Sequence, residues 1–571
     1  MHFLVLAADY DGTLAHDGNV DDPTIRALER LRASGRKLVL VTGRHLPDLL
    51  SVFGHLDLFD RVIVENGGLL YRPQTREQKP LTEPPHERFL ALLKERGVPF
   101  SAGRTIVATW KPHEEEVLKA IRDLGLELQV IFNKGAVMVL PSGVNKGTGL
   151  AAALDELGLS AHNTVGVGDA ENDHAFLKLC ECAVAVANAL PALRERADIV
   201  LPKPRGEGVA ELCEEMIASD LGGYNVKPER HSLTLGQRVD ATQEPVRLDP
   251  RGASILVAGR SGSGKSTAVS GMLEQFIEQG YQFCLIDPEG DYDGFHEALS
   301  LGSAKETPDT NSIMRALETP NQSVIVNLLG ISIDDRPSFL AGLLPHLQHL
   351  RNHAGRPHWL IIDEAHHLLP PAWAPAEDVA PIILENTILI TVHPEHVAKA
   401  ALQAVSAVLG IGESAAEIFR SFAKATQVQP PEYRGPAAQP GEALVWFPKA
   451  GTAPQMLKPV RSTRERLRHV RQYAEGELSP QQSFFFRGPE SKLNLRAQNL
   501  RSFLQLAQGV DDETWMFHLR RGDFSNWFKT IIKDEELARQ AAEIERDPQT
   551  SAGESREKIK EAVDSRYTAS A

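Results

Sequence analysis

Residues 253–270, Ala-Ser-Ile-Leu-Val-Ala-Gly-Arg-Ser-Gly-Ser-Gly-Lys-Ser-Thr-Ala-Val-Ser, constrain this chain more than any other stretch. Residues 255–258 are a short apolar run that reads as a buried strand, and 267–279 carry a helical pattern. Between them Gly259, Gly264, Lys265 and Ser266 complete the spacing G-x-x-x-x-G-K-[ST], with Arg260, Ser261, Gly262 and Ser263 at the free positions and Thr267 just after. Bare backbone amides in such a loop curl around phosphate oxygens, the lysine reaches the β and γ groups, and the hydroxyl meets Mg²⁺. A Gly/Ser linker would have neither the strand before the loop nor the helix after it. The pattern predicts a nucleoside-triphosphate cradle.

At 571 residues the chain has room for three or four domains. Its net charge of −15 argues against a generally basic surface for nucleic acid, although a local basic stripe would not show in that sum. Cys180, Cys182, Cys213 and Cys284 lack zinc-finger spacing, and so few thiols suit a reducing cytoplasm. No run approaches the ~20 apolar residues of a membrane span, and residues 1–8 are too short and uncharged for a signal peptide. A cytoplasmic protein without a membrane partner is expected.

Residues 1–222 read as a first unit. A buried strand at 2–8 ends in Asp9-Tyr10-Asp11-Gly12-Thr13. Carboxylates two apart share a face of an extended strand end, and a turn at Gly12 can set both around one phosphate. That suits Asp9 as nucleophile and Asp11 as general acid then base, through an aspartyl-phosphate. A second strand, 38–41, ends in Thr42-Gly43-Arg44, which offers a hydroxyl and amides to a phosphate oxygen. Asn145-Lys146-Gly147 opens a helix and supplies a balancing cation. Residues 165–167 lead into Gly168-Asp169-Ala170-Glu171-Asn172-Asp173, acids suited to an oxygen-liganded Mg²⁺.

These four motifs, in this order, resemble the haloacid dehalogenase superfamily of phosphatases, in the Cof-like branch with a cap inserted before the lysine motif. The resemblance implies Asp9 as nucleophile, Asp11 as acid/base, Thr42, Gly43 and Lys146 as phosphate binders, and Asp9, Asp11, Asp169 and Asp173 as the magnesium set. It also implies a small phosphate ester as substrate. The core is expected over about 1–70 and 141–222, the cap over about 71–140, and a linker over 223–245, with one hairpin docked on the next domain.

The second unit is expected over 246–460. Strand-like runs at 283–286, 324–328 and 387–392 accompany the glycine loop. Residues 359–362 are apolar and end in Asp363-Glu364, so that Asp363 can hold the magnesium shell while Glu364 orients or deprotonates water. His393 stands at the tip of the last run, where a γ-phosphate sensor would sit, or simply in solvent. With Asp287-Pro288-Glu289-Gly290-Asp291-Tyr292 after its second strand, this unit resembles the HerA/FtsK group of P-loop ATPases. The resemblance implies ATP as ligand, a homo-hexamer, and an arginine finger from a neighbouring subunit, with Arg336, Arg351, Arg356 and Arg420 as candidates. The β-barrel typical of HerA proteins is absent, which leaves a nucleic-acid partner open. His349 and His353 have a spacing that can bind zinc but read better as a solvated face.

Residues 461–545 read as a small helical domain, opened by a basic helix with Arg464, Arg466, Arg468 and Arg471 and built on aromatics from Phe484 to Phe528. It is similar to a helical module of unknown function in other bacterial proteins. Residues 546–571 are polar and read as disordered or one loose helix. The fold class expected is multidomain α/β: a Rossmann-like sheet with an α/β cap, a RecA-like sheet, then helices. The function expected is Mg²⁺-dependent phosphomonoester hydrolysis joined to ATP hydrolysis. Two alternatives remain at this stage: a polynucleotide kinase/phosphatase-like enzyme, and an ATP-binding switch that regulates the phosphatase.

Overall fold

The computed structural model describes residues 2–133, 135–224, 230–240, 242–292, 295–373, 384–462, 473, 478, 482–532 and 534–567. Arg464, Arg466, Arg468 and Arg471, expected on a basic helix, lie outside them, as does Pro228 of the expected linker. The described residues form two compact bodies, 1–460 and 461–571.

The first body holds two large sheets. In chain order the first contains β1 (Val5–Asp9), β2 (Lys37–Val41), β3 (Arg61–Val64), β4 (Leu69–Arg72) and β5 (Glu77–Pro80). An inserted layer follows, with β6 (Ser101–Ala102), β7 (Val107–Trp110), β8 (Leu128–Asn133) and β9 (Ala136–Pro141). The chain then returns through β10 (Thr164–Gly168), β11 (Cys182–Ala185) and β12 (Ile199–Val200). The sheet order is β12-β11-β10-β1-β2-β3-β4-β5. β1 pairs in parallel with both β2 and β10, so consecutive strands depart on opposite sides of it. That is a topological switch point, where an open α/β sheet leaves a crevice beyond its strand ends. β1, β2 and β10 are buried almost throughout, as parallel strands covered on both faces must be.

The inserted layer is antiparallel, in the order β6-β7-β9-β8. One side packs on the helices Glu87–Glu95 and Glu114–Asp123 through Phe89, Leu93, Val107, Val117 and Val139. The cap is narrower than the expected 71–140. β4 pairs antiparallel with β3, and β5 with β4, extending the core sheet, while β9 belongs to the cap.

The second sheet contains β13 (Leu233–Arg238), β14 (Pro245–Leu248), β15 (Ser254–Ala258), β16 (Phe283–Asp287), β17 (Ala298–Leu301), β18 (Ser323–Asn327), β19 (Trp359–Ile362), β20 (Thr387–Thr391), β21 (Ala407–Ile411), β22 (Ala443–Trp446) and β23 (Gln455–Pro459). Its order is β14-β13-β23-β22-β21-β15-β20-β19-β16-β18-β17. The linker expected over 223–245 is correspondingly shorter. β13 pairs with β23 and, through a bulge, with β14, so this hairpin is an edge of the sheet rather than a tether. Arg351 and Arg356 are bonded to carbonyls of their own body, Arg351 to Pro357 and Asn386, Arg356 to Leu317 and Gly158. Neither is free to reach a neighbour as a finger. His349 and His353 are exposed, and no metal-holding group among the described residues includes them.

The second body packs the helices Leu500–Gly509, Asp512–Arg521, Asp523–Thr530, Glu535–Arg546 and Ala552–Tyr567 with a hairpin of β24 (Phe484–Phe486) and β25 (Leu495–Ala497). Phe484, Phe486, Phe503, Trp515, Phe524 and Trp527 form its core. Of the two readings of 546–571, disorder or one loose helix, residues 552–567 form the helix, and it is packed rather than loose. Ile559, Val563 and Tyr567, spaced by four, line one face of the last helix and are buried in that core. Trp515 Nε1 donates to Ser555 Oγ at 2.9 Å and fixes the same helix.

Candidate active sites

The first site lies beyond the carboxyl ends of β1, β2 and β10. Asp9 is the last residue of β1 and is buried. Lys146 is the first residue of the helix Lys146–Leu157, whose start is fixed by a reciprocal cap between Asn145 and Thr148. Its Nζ lies 2.6 Å from Asp9 Oδ1 and 2.6 Å from Asp173 Oδ1. Asp173 is held in turn by the backbone amides of Asp169 and Ala170, each 2.9 Å from Oδ2. Gly168 makes the turn passable, since a Cβ there would stand 2.7 Å from Asp173 Oδ2.

Asp9, Asp169 and Asp173 each place a carboxylate oxygen within 4.8 Å of the others. Burial and the Asp173 carboxylate push the Asp9 carboxyl upward, against the pull of Lys146. Burial opposes the charge on Lys146, yet Asp173 and Asp9 outweigh it and hold the ammonium above its ordinary value. Three hard oxygen donors around one cation suit Mg²⁺.

Thr42, buried, follows β2 alongside Asp9, and its Oγ1 accepts from the Arg44 amide at 3.2 Å. Asp11 is not part of the carboxylate cluster in which it was expected as a metal ligand. Its carboxylate takes two bonds from the Arg44 guanidinium, 2.7 and 2.8 Å long, because the planar fork matches a carboxylate edge. Three further residues enter that the motif reading did not single out. Asn66 and Asn172 meet through Asn172 Nδ2 and Asn66 Oδ1 at 3.2 Å, and Glu65 is buried beside them. Asn172 lies inside the acid run already quoted; the signal available for Glu65 and Asn66 was the glycine pair Gly67-Gly68 that follows them.

The second site lies at the ends of β15, β19 and β20. Gly262 and Gly264 have φ of 73° and 100°, which few other residues adopt. A Cβ on Gly259 would stand 2.5 Å from Ser263 Oγ and 3.0 Å from Ile411 O. Lys265 Nζ donates back to the carbonyls of Gly259 and Arg260 at 3.1 and 3.2 Å, closing the loop on itself. Arg260 and Ser261 are exposed at the loop tip, and Thr267 continues the helix Lys265–Gln279.

Ser266 Oγ lies 3.5 Å from Asp291 Oδ2. Asp291 is presented by a loop wound around Asp287, whose carboxylate accepts from the amides of Glu289, Gly290, Asp291 and Tyr292. Burial pushes Asp363 up to about 8, partly relieved by the Glu364 amide at 2.8 Å. Glu364, at φ 44°, is raised by burial and by Glu289, while Lys265 draws it down. β20 separates β15 from β19 in the sheet. At its tip His393 is half-exposed, 3.3 Å from Glu395 and in ring contact with His366.

The sequence model of the haloacid dehalogenase-like hydrolases matches residues 6–123 and 108–212. Phosphoglycolate phosphatase 2 of Saccharolobus solfataricus is 31% identical over 227 residues, which are 38% of this chain and 94% of that protein. The chain belongs to the haloacid dehalogenase-like hydrolases. A phosphoglycolate phosphatase of Methanothermobacter thermautotrophicus is 31% identical over 213 residues, 36% of this chain and 95% of its own length. A solved haloacid dehalogenase-like hydrolase from B. subtilis aligns over 38% of this chain and all of its own, with 18% identity and a TM-score of 0.33. Beyond the hydrolase region, the central domain of helicase HerA matches residues 233–335, from the start of β13 past the glycine loop. Asp363, Glu364 and His393 lie after the end of that match. Among the described residues no helix is long and apolar enough to cross a membrane.

Proposed function

We propose that the chain is a bifunctional hydrolase, with phosphomonoesterase chemistry in residues 1–222 and ATP hydrolysis in the body's second sheet, through residue 460. The observation that carries the first half is Lys146 bridging Asp9 and Asp173 under a buried third carboxylate. Asp9 attacks the phosphorus, forming an aspartyl-phosphate and releasing the alcohol oxygen; Asp11 protonates that oxygen and later draws a proton from the water that cleaves the acyl-phosphate. To do so Asp11 must exchange its Arg44 bonds for the leaving group and carry a proton as it reaches that oxygen. Thr42, the Gly43 amide and Lys146 bind the phosphoryl oxygens. Asp9, Asp169 and Asp173 would hold a magnesium ion, which supplies positive charge against those oxygens. The ester is small, and 2-phosphoglycolate is the first to test, since the named relatives are phosphoglycolate phosphatases.

In the second half, residues 259–267 wrap the ATP phosphates, Ser266 and Asp363 would hold the nucleotide's magnesium, and Glu364 aligns water for attack on the γ-phosphate. His393 senses the γ-phosphate from the β20 tip. The influence of Lys265 on Glu364 supports a shared site. By the HerA likeness the active form is a ring, six copies in our reading, with Arg420 reaching the next subunit; Arg336, like Arg351 and Arg356, is bonded to a carbonyl of its own body, that of Ile331. A basic pore would admit nucleic acid. The buried, unpaired cysteines suit a reducing cytoplasm.

Coupling between the halves has a physical route. The segment that follows the Lys146 helix meets the end of the Lys265 helix. His162 places one ring nitrogen 2.6 Å from Glu181 and the other 2.8 Å from Gln279 O, the last residue of the Lys265 helix. Tyr281 Oη bonds the same carboxylate, and Arg356 donates to Gly158 O, just past the Lys146 helix, at 2.8 Å. The test is phosphate release from 2-phosphoglycolate and from ATP, each with Mg²⁺ and with a chelator. Both should require Mg²⁺, and failure to release phosphate from any small ester would end the first half of the reading.

A further inference from the structure

The turn between β3 and β4 is strained and buried. Glu65 and Asn66 adopt φ of 52° and 54°, a left-handed conformation that side chains other than glycine rarely take. Neither is placed by the phosphate-binding motifs, yet each has a partner that explains the strain.

Glu65 is 2% exposed, and its carboxylate takes three bonds from the cap, with the His45 ring of the core 3.7 Å from Oε1. One carboxylate oxygen accepts from the Arg104 amide at 3.0 Å, and the other from the Thr105 amide and Thr105 Oγ1, both at 2.7 Å. The cap loop fits closely around it. A Cβ on Gly103 would stand 2.5 Å from both Glu65 Oε1 and His45 Nδ1, and one on Gly68 would stand 2.1 Å from Thr105 Oγ1. His45 Nε2 lies 3.2 Å from Ser101 Oγ of the same loop.

Asn66 points the other way, into the phosphate site. Asn66, Asn172 and the cap residue Met138 all converge within 4 Å of where a Gly43 Cβ would be. Asn66 Nδ2 and Asn172 Oδ1 are buried and meet no hydrogen-bond partner among the described residues. Exchanging oxygen and nitrogen on both amides still leaves one donor and one acceptor open, so the site presents unused hydrogen-bonding capacity to a bound oxygen.

We propose that Glu65 is the latch that holds cap loop 101–106 over the phosphate site, and that it thereby selects esters small enough to lie beneath the closed cap. The adjacent Asn66 faces the enclosed space, so the residue that grips the cap and a residue that lines the site move as one turn. Glu65 is a positioning residue and touches no reacting atom. The proposal rests on the phosphomonoesterase reading of this site.

The test compares wild type with Glu65→Gln and Thr105→Val. Glutamine keeps one acceptor oxygen but turns an amide donor toward the Thr105 N–H, which breaks half the latch. Hydrolysis of 2-phosphoglycolate should lose at least tenfold in kcat/KM, chiefly through KM, while the bulky ester 4-nitrophenyl phosphate keeps or gains activity. The double variant should lose no more than Glu65→Gln alone. In hydrogen exchange without substrate, the Arg104 and Thr105 amides should be protected in wild type and exposed in Glu65→Gln, with β7 and β9 still protected. Equal losses on both esters, or unchanged exchange at residues 104 and 105, would overturn the latch. A wild type inactive on both esters would refute the phosphatase reading instead, and the exchange result would still decide the latch.

Discussion

Replacing Lys146 by Met tests the charge balance of the first site. Lys146 and Asp173 are almost wholly inaccessible, and the ammonium touches Asp9 and Asp173 at 2.6 Å each. Methionine fills a similar volume but leaves three carboxylates in one buried pocket without their cation. Removing one partner of a buried ion pair costs about 3–5 kcal/mol, so the hydrolase region should melt well below wild type in a chelator. Mg²⁺ should restore much of the loss, because a ligand at one hundred times its Kd adds about 2.7 kcal/mol. Lower pH should narrow the deficit. The Asp9 carboxyl, pushed above its ordinary range to about 7, binds its proton more tightly folded than unfolded, so stability falls as pH rises through that value and is regained below it. Scanning calorimetry of the full chain, with chelator or Mg²⁺ at pH 5.5 and 8, reads each effect. A Lys146→Met protein that melts with wild type in chelator, or that ignores Mg²⁺, would refute the reasoning.

Three further outcomes follow from the same structure. Lys265→Ala should weaken ATP binding at least tenfold by calorimetric titration and leave ester hydrolysis unchanged, since Lys265 braces only the glycine loop. If the ATP site is completed by a neighbour, light scattering should find a ring and specific ATPase activity should fall on dilution; a monomer with concentration-independent activity would contradict this. Truncation after Asp547 removes Ile559, Val563 and Tyr567 from the core of the second body, and at about 1.5–3 kcal/mol per large apolar side chain it should cost that body its cooperative melting transition.

The three strand tips were legible in the sequence because each is written in consecutive residues. Asp9 ends β1, Lys265 follows β15 through its loop, and Asp363 follows β19, so an apolar run with its polar end places these residues directly. Contacts distant in sequence were not legible. Glu65 meets Thr105 across 40 residues, and Asp11 meets Arg44 across 33; neither pair has a local signature. β13 read as part of a linker with a docked hairpin because its place in the sheet comes from β23, near the other end of the second sheet's sequence. The helix Ala552–Tyr567 read as either disordered or one loose helix because its three core residues are diluted among charges. Their spacing by four was the available signal, and it becomes decisive only with a core to receive them.

The central claim is that one chain carries two separate hydrolytic centres, and a two-by-two comparison tests it most directly. Phosphate release from 2-phosphoglycolate and from ATP would be measured for wild type, Asp9→Asn and Glu364→Gln under identical Mg²⁺. Asp9→Asn should lose ester hydrolysis and keep ATP hydrolysis, while Glu364→Gln should keep ATP binding and ester hydrolysis and lose ATP turnover. If either substitution abolishes both activities in a folded protein, or if neither changes the activity assigned to it, the two-centre account is contradicted.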